Sequence, residues 1–320
     1  MAQIHMPKVG RQKRWELLGG HSPTRRRNPI LLPIPQYVVG LHLTPQDQLE
    51  EGERLQSLPY RHLTPFSTLV SKIVYTRNMR EQHIEIVTDE GTMGTYIAHP
   101  DNGESLPVVL FLMDAPGKRE LLHSMARTIA SHGYYVMLPN LYYRTTPAFE
   151  LDFASKESFE RMRELMMAMS NKMVSRDAQN LLAFAKEQPA ADENSVGVVG
   201  YCMSGPFAIY VAAELSSVVK AAASFYGVRL HVDKPDSPHL RLNDISGEIY
   251  VACAEHDDYV PMEMVDQFEA AMQESEVRGC LERYWGNHHG FAFNDRPAYD
   301  EKADKRHWMR LLDLFQRNLH

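Results

Sequence analysis

The chain has 320 residues and a formal net charge of −7, which is long enough for one large α/β domain with an appendage. Its acidic balance, without a concentrated basic face in the body, argues against a nucleic-acid partner and favours a small-molecule substrate. The strongest apolar runs have only the length of strands, so no membrane span is expected. Only three cysteines occur, which excludes a disulfide framework and fits a reducing, cytoplasmic setting.

Residues 1–78 differ in composition from the rest of the chain. Residues 1–46 carry seven Lys or Arg against a single acid, Glu16. Prolines recur between positions 23 and 65 and interrupt every apolar stretch, which excludes a secretory signal core and a long helix. Three interpretations of this basic, proline-rich extension stay open: a poorly ordered segment, an organellar transit peptide, or a product whose translation begins at Met79. The domain proper is predicted over residues 79–320.

The apolar pattern becomes regular from residue 82 onward. Alternation over residues 83–87 and 93–98, around a turn at 89–91, predicts an antiparallel hairpin. Six short apolar runs predict further strands, at residues 108–113, 134–138, 195–199, 221–226, 248–254 and 280–284. Helices are predicted at residues 120–131, 156–187, 206–214, 262–274 and 301–317. This alternation predicts an α/β fold with a mostly parallel, eight-stranded sheet flanked by helices.

A turn of small residues around one nucleophilic side chain follows the run at 195–199. Its sequence is Gly200-Tyr201-Cys202-Met203-Ser204-Gly205. A strand, a tight turn and a helix with a nucleophile at the bend form the pattern of the nucleophile elbow in α/β-hydrolases. The glycines permit the close backbone approach that such a turn needs, so Cys202 is predicted to be a nucleophile rather than a core thiol. Ser204 is predicted to be a spacer, and Cys253 and Cys280 to be buried thiols.

Acid and histidine candidates follow the elbow in the order that a catalytic triad in this fold requires. Asp257 and Asp258 come just after the strand predicted at 248–254, and His288 and His289 just after the strand at 280–284. Spacing alone does not choose within either pair. Together with His256 these side chains also suggest a metal cluster, but that interpretation leaves the elbow unexplained. No metal or cofactor is therefore expected.

Four ordered motifs resemble those of the dienelactone hydrolase family over residues 79–319. They are the elbow, the segment Ala254-Glu255-His256-Asp257-Asp258-Tyr259-Val260-Pro261, the segment Tyr284-Trp285-Gly286-Asn287-His288-His289-Gly290-Phe291, and Leu138-Pro139-Asn140-Leu141-Tyr142. The resemblance implies an α/β-hydrolase fold with Cys202 as nucleophile, Asp257 as acid and His289 as base. The flanking tyrosine and Gly-Phe pair select His289 over its neighbour.

The resemblance also implies roles for five further residues. Asp114 takes the position of a family carboxylate, usually glutamate, that contacts the resting thiol. The backbone N–H groups of Met203 and Ala115 are expected to hold the oxyanion. Tyr142 and Phe293 are assigned to the substrate pocket, and Phe293 stands where archetypal members have an arginine for a substrate carboxylate. An aromatic ring cannot replace a guanidinium fork, so a less anionic or more apolar substrate is predicted.

The sequence therefore predicts a hydrolase that cleaves a small ester or lactone through a cysteine nucleophile and an acyl-thioester. The alternative is a non-catalytic member of the same fold that binds a ligand, or uses Cys202 as a redox-sensitive thiol, because fold alone does not guarantee activity. We expect a monomer or small homo-oligomer with neither a nucleic-acid nor a membrane partner.

Overall fold

The computed structural model describes residues 79–320, so the extension predicted for residues 1–78 lies outside the described residues. Eight strands form a single sheet. Their bounds are β1 Met79–Thr88, β2 Gly91–Pro100, β3 Leu106–Leu112, β4 Tyr135–Pro139, β5 Ala191–Tyr201, β6 Val219–Phe225, β7 Glu248–His256 and β8 Arg278–His288.

Six α-helices accompany the sheet in the described part of the chain. Their bounds are α1 Glu120–Ala130, α2 Lys156–Met167, α3 Asn171–Lys186, α4 Gly205–Glu214, α5 Met262–Glu274 and α6 Glu301–Leu319. Short 3₁₀ turns occupy Cys202–Ser204 and Pro238–Asp244. No helix within residues 79–320 combines the length and the apolarity needed to cross a membrane.

The strands lie in the order β1-β2-β4-β3-β5-β6-β7-β8. The β1–β2 hairpin is antiparallel and joins the sheet by antiparallel pairing of β2 with β4. Every other neighbouring pair is parallel. The mostly parallel eight-stranded sheet predicted from the sequence is therefore confirmed.

The middle of the sheet is the centre of the core. All seven residues of β3 are buried, as are the last six residues of β5. Strands buried on both faces read as continuous apolar runs, which is why these segments show no alternation. Because parallel strands end at one edge, the residues that follow them meet there. These are Asp114 after β3, Cys202 after β5, Tyr226 after β6, Asp257 after β7 and His289 after β8.

The prediction of one long helix over residues 156–187 is wrong in one respect, because this segment forms two helices, α2 and α3. Ser170 adopts an extended backbone conformation, with φ −140°, and its side chain accepts a hydrogen bond from the N–H of Met173. A serine in this position satisfies one of the free N–H groups at a helix start. The apolar periodicity continues across this junction in the sequence, so the capping serine was not recognised as a helix boundary.

Candidate active site

The backbone at Cys202 has φ +53°, a left-handed conformation that is uncommon for a residue with a side chain. Glycines on both sides make this bend possible. A Cβ atom on Gly200 would lie 2.1 Å from the carbonyl oxygen of Ser204, and one on Gly205 would lie 2.4 Å from the Cα of Gly227. The turn therefore presents the half-buried Cys202 thiol at the point where β5 meets α4.

Ser204 stabilises the elbow through hydrogen bonds of its buried hydroxyl. Its hydroxyl donates to the carbonyl oxygen of Leu112 at 2.9 Å and accepts from the N–H of Tyr201 at 2.9 Å. The side chain is fully buried. These bonds connect the end of β3 to the elbow, and they occupy the hydroxyl that would otherwise compete with Cys202 as a nucleophile.

Asp257 and His289 are joined directly. The Nδ1–H of His289 donates to Oδ2 of Asp257 at 2.7 Å. The other carboxylate oxygen accepts from the backbone N–H groups of Tyr259 and Val260, at 2.9 and 3.1 Å. Three donors thus hold the carboxylate in one orientation. The neighbouring residues Asp258 and His288 are exposed. Spacing alone did not choose between the two aspartates or between the two histidines, and the contact joins Asp257 to His289.

The second imidazole nitrogen of His289 is the one not bonded to Asp257, and the Cys202 thiol lies near enough to the ring to raise its pKa. This Nε2 atom is buried and has no hydrogen-bond partner of standard geometry within residues 79–320. Burial by itself lowers the pKa of His289, but the charge of Cys202 and the hydrogen bond to Asp257 together raise that pKa to about 10. At neutral pH this raised pKa favours the protonated form of the imidazole.

The raised pKa of His289 also couples protonation to folding. Because the folded value of about 10 exceeds the ordinary value of 6.5, protonation of this ring stabilises the folded state. That contribution is fully present below the unfolded pKa of about 6.5 and is lost as the pH rises through about 10.

Asp114 lies at the centre of a buried ion-pair network. Its Oδ1 accepts from Arg119 Nη1 at 2.6 Å, and its Oδ2 accepts from Arg119 Nη2 at 3.3 Å and from Arg296 Nη2 at 3.0 Å. Asp295 bridges the two arginines, accepting from Arg119 Nε at 2.7 Å and lying 3.2 Å from Arg296 Nε. Two positive and two negative side chains thus neutralise one another. A contact between Asp114 and the Cys202 thiol stays a prediction.

Tyr142 connects the two backbone segments assigned to the oxyanion. Its hydroxyl donates to the carbonyl oxygen of Ala115 at 2.8 Å and contacts the sulfur of Met203 at 3.3 Å. The ring is almost fully buried. Gly117 closes the same loop with φ +93° and a backbone N–H bonded to the Asp114 carbonyl at 3.1 Å. Tyr142 therefore supports the loop rather than lining an open pocket.

The structure differs from the sequence-based expectation for Phe293. Its ring is only 1% exposed and packs against Tyr201 and Tyr226, at centroid distances of 5.0 and 5.8 Å. It therefore belongs to the core beneath the site. The arginine that reaches the site is Arg296, three positions further along the chain, which the expected four-residue spacing from the histidine did not indicate.

Four charged or aromatic residues near the site received no functional assignment from the sequence. They are Arg119, Arg296, Tyr226 and Tyr259. Tyr226 and Tyr259 flank the imidazole of His289 at centroid distances of 5.0 and 4.9 Å. Within residues 79–320, no group of three His, Cys, Asp or Glu side chains is arranged to hold a metal ion.

Comparisons with known proteins agree with this architecture. The model of the dienelactone hydrolase family matches residues 93–319. A carboxymethylenebutenolidase-like protein of Synechocystis sp. is 30% identical over 227 residues, which cover 70% of this chain and 91% of that protein. A dienelactone hydrolase-like structure from Klebsiella pneumoniae aligns with a TM-score of 0.67 and 23% identity, over 75% of this chain and 99% of the other. The structure of the dienelactone hydrolase from Anabaena variabilis aligns with a TM-score of 0.56 and 16% identity, over 76% of this chain and 99% of the other.

The structural likenesses establish the fold, and the family match extends over most of the chain. The chain belongs to the dienelactone hydrolase family and has the α/β-hydrolase fold of that family.

Proposed function

We propose that this protein hydrolyses a small ester or lactone through a triad of Cys202, Asp257 and His289. The observation that carries the proposal is the arrangement of the imidazole, which is bonded to the Asp257 carboxylate at 2.7 Å and has Cys202 as the neighbour that most strongly raises its pKa. Covalent acyl transfer needs a nucleophile, a base beside it and an acid that orients the base. The family membership of the chain supports the same reaction class.

In the first half of the reaction, the Cys202 sulfur attacks the substrate carbonyl carbon as a thiolate. The thiol proton passes to Nε2 of His289, whose raised pKa of about 10 favours accepting it. A tetrahedral oxyanion forms as the carbonyl bond opens. It collapses to an acyl-thioester when the carbon–oxygen bond to the leaving group breaks, and His289 donates its proton to the departing oxygen.

In the second half, loss of the sulfur charge changes the behaviour of His289. The charge of Cys202 is the largest influence that raises the pKa of this imidazole, and acylation removes it. The pKa then falls, and the neutral ring can accept a proton from water. Water attacks the thioester carbon, the carbon–sulfur bond breaks, and the free acid leaves as the thiolate and the imidazolium re-form.

The oxyanion would be stabilised by the backbone N–H groups of Met203 and Ala115. Both residues are nearly fully buried, and the bonds from Tyr142 to both of their segments keep the two segments in register. Fixed donors of this kind need no reorganisation as charge develops. One such donor contributes about 3 kcal/mol in enzymes where it has been removed.

The neutralised arginines support a substrate less anionic than a dienelactone. Arg119 and Arg296 are already paired with Asp114 and Asp295, so an incoming carboxylate would have to compete with two internal ones. Separating such buried pairs is costly. A neutral or apolar acyl group avoids that cost.

We expect a panel of chromogenic esters and lactones to reveal turnover in the wild type that Cys202→Ala abolishes and Cys202→Ser reduces at least about a hundredfold, since a serine hydroxyl ionises far less readily than a thiol. Cys280→Ala is the matched control, because burial raises the pKa of the Cys280 thiol to about 11 and keeps it unreactive. Turnover that persists in Cys202→Ala would contradict the triad.

The pKa of His289 should fall in Cys202→Ala, because the variant lacks the charge that most strongly raises it. Proton NMR of the imidazole Cε1–H across pH 5 to about 11 measures this shift. In the wild type, protonation of the ring should be lost near pH 10, and the variant should titrate at least about one unit lower. Cys280→Ala serves again as the control. A His289 titration that is identical in wild type and Cys202→Ala would contradict the coupling.

Substrate charge provides a separate test. Neutral aryl or alkyl esters should be cleaved with a kcat/KM about tenfold or more above that of matched esters bearing a carboxylate, the equivalent of one lost charge-assisted hydrogen bond at about 1.5–3 kcal/mol. In Asp295→Asn, one of the two carboxylates that neutralise the arginines is gone, so the preference for neutral over carboxylated esters should become smaller. Turnover restricted to carboxylated lactones would overturn this specificity.

A further inference from the structure

Tyr226 is the residue beside the active site whose conformation the triad does not explain. It follows β6 directly and has φ +40°, a left-handed value that is unfavourable for a bulky side chain. Its ring is fully buried and contacts His289 at a centroid distance of 5.0 Å. Two residues further on, the backbone N–H of Val228 donates to the carbonyl oxygen of Cys202 at 3.1 Å, which ties this segment to the elbow.

The hydroxyl of Tyr226 is buried and has no hydrogen-bond partner within residues 79–320. A buried hydroxyl without a partner destabilises the folded state, and a phenylalanine would fill the same space without that cost. The hydroxyl of Tyr142, by contrast, is bonded to the Ala115 carbonyl. Packing therefore accounts for the ring of Tyr226 but not for its oxygen.

Several charged groups lie near this hydroxyl. Burial raises the pKa of Tyr226 well above its ordinary value, and the charges of Tyr201, Asp114 and Cys202 raise it further, while Arg296 opposes them. Both oxygens of Asp114 already accept from arginines, so that carboxylate has its donors. The Tyr201 hydroxyl is already bonded to His307 at 2.7 Å, so the Cys202 sulfur is the remaining neighbour among these groups at which negative charge forms.

We propose that the Tyr226 hydroxyl is a catalytic hydrogen-bond donor to the negative charge on the Cys202 sulfur. This inference rests on the proposed function, in which that sulfur reacts as a thiolate. The left-handed backbone after β6 places the phenol ring beside His289, and the N–H of Val228 ties the same segment to Cys202. A donor near developing charge stabilises that charge, and this hydroxyl has no other partner to give up within residues 79–320.

Other charged groups follow the neighbouring strands at this edge of the sheet, and every variant below retains them. They are His289 and Arg296 after β8, Asp257 after β7, and Asp114 and Arg119 after β3.

Tyr226→Phe removes only the oxygen. We expect kcat/KM for the best ester to fall about tenfold to a hundredfold, in keeping with a hydrogen bond to a charged group. The rate of Cys202 alkylation by iodoacetamide, measured against pH, should shift its midpoint upward by about one unit, because the charged form loses a donor. The free energy of unfolding in urea should stay the same or rise, because an unpartnered buried hydroxyl is gone.

Tyr284→Phe is the matched control. Its hydroxyl is also buried, but it lies 3.0 Å from the Tyr250 hydroxyl in a hydrogen bond. This variant should lose stability and leave the alkylation midpoint unchanged, the opposite pattern.

Incorporation of 3-fluorotyrosine at position 226 keeps the ring, makes the phenol a stronger donor, and should move the midpoint downward.

An alkylation profile of Tyr226→Phe that superimposes on that of the wild type would overturn the role of Tyr226 and leave the triad untouched. If 3-fluorotyrosine also leaves the midpoint in place, the same conclusion holds even where Tyr226→Phe fails to fold. Turnover that survives complete alkylation of Cys202 in the wild type would instead contradict the proposed function itself. The two failures are therefore distinguishable.

Discussion

The left-handed backbone at Cys202 is the constraint on which the rest of the site depends. A residue held there costs of order 1–3 kcal/mol, which the surrounding structure must offset. Gly200 and Gly205 admit backbone atoms at distances that a Cβ would forbid, and Ser204 bonds the turn to the end of β3. Since α4 begins at Gly205, the same packing sets the direction of that helix and directs its positive N-terminal end toward the thiol.

Two charge arrangements meet at this edge of the sheet and differ in what they can do. Asp114 is paired with Arg119 and Arg296, and guanidinium groups do not lose their protons in proteins, so the two arginines of that network keep their charge. His289 can change its protonation state, because its pKa follows the charge on Cys202. In the proposed mechanism, the proton that moves is carried by the imidazole of His289, which is bonded to Asp257 and lies near Cys202.

The parts of the account that were predictable from the sequence depend on local patterns. Strand-length apolar runs predicted the sheet, and the glycines around Cys202 predicted the bend. Asp257 and His289 followed from their places after two strands and from the resemblance of their motifs. Contacts between distant segments carried no such signal: Arg296 and Asp114 are 182 residues apart in the chain. The orphaned hydroxyl of Tyr226 likewise becomes apparent only when its neighbours are in place.

A covalent intermediate on Cys202 tests the central claim most directly. Rapid mixing with a slowly hydrolysed ester, acid quenching and intact-mass spectrometry should reveal a mass increase equal to the acyl group. Peptide mapping should locate that acyl group on Cys202. An acyl group located on any other side chain, or an unmodified protein throughout steady turnover, would contradict the account.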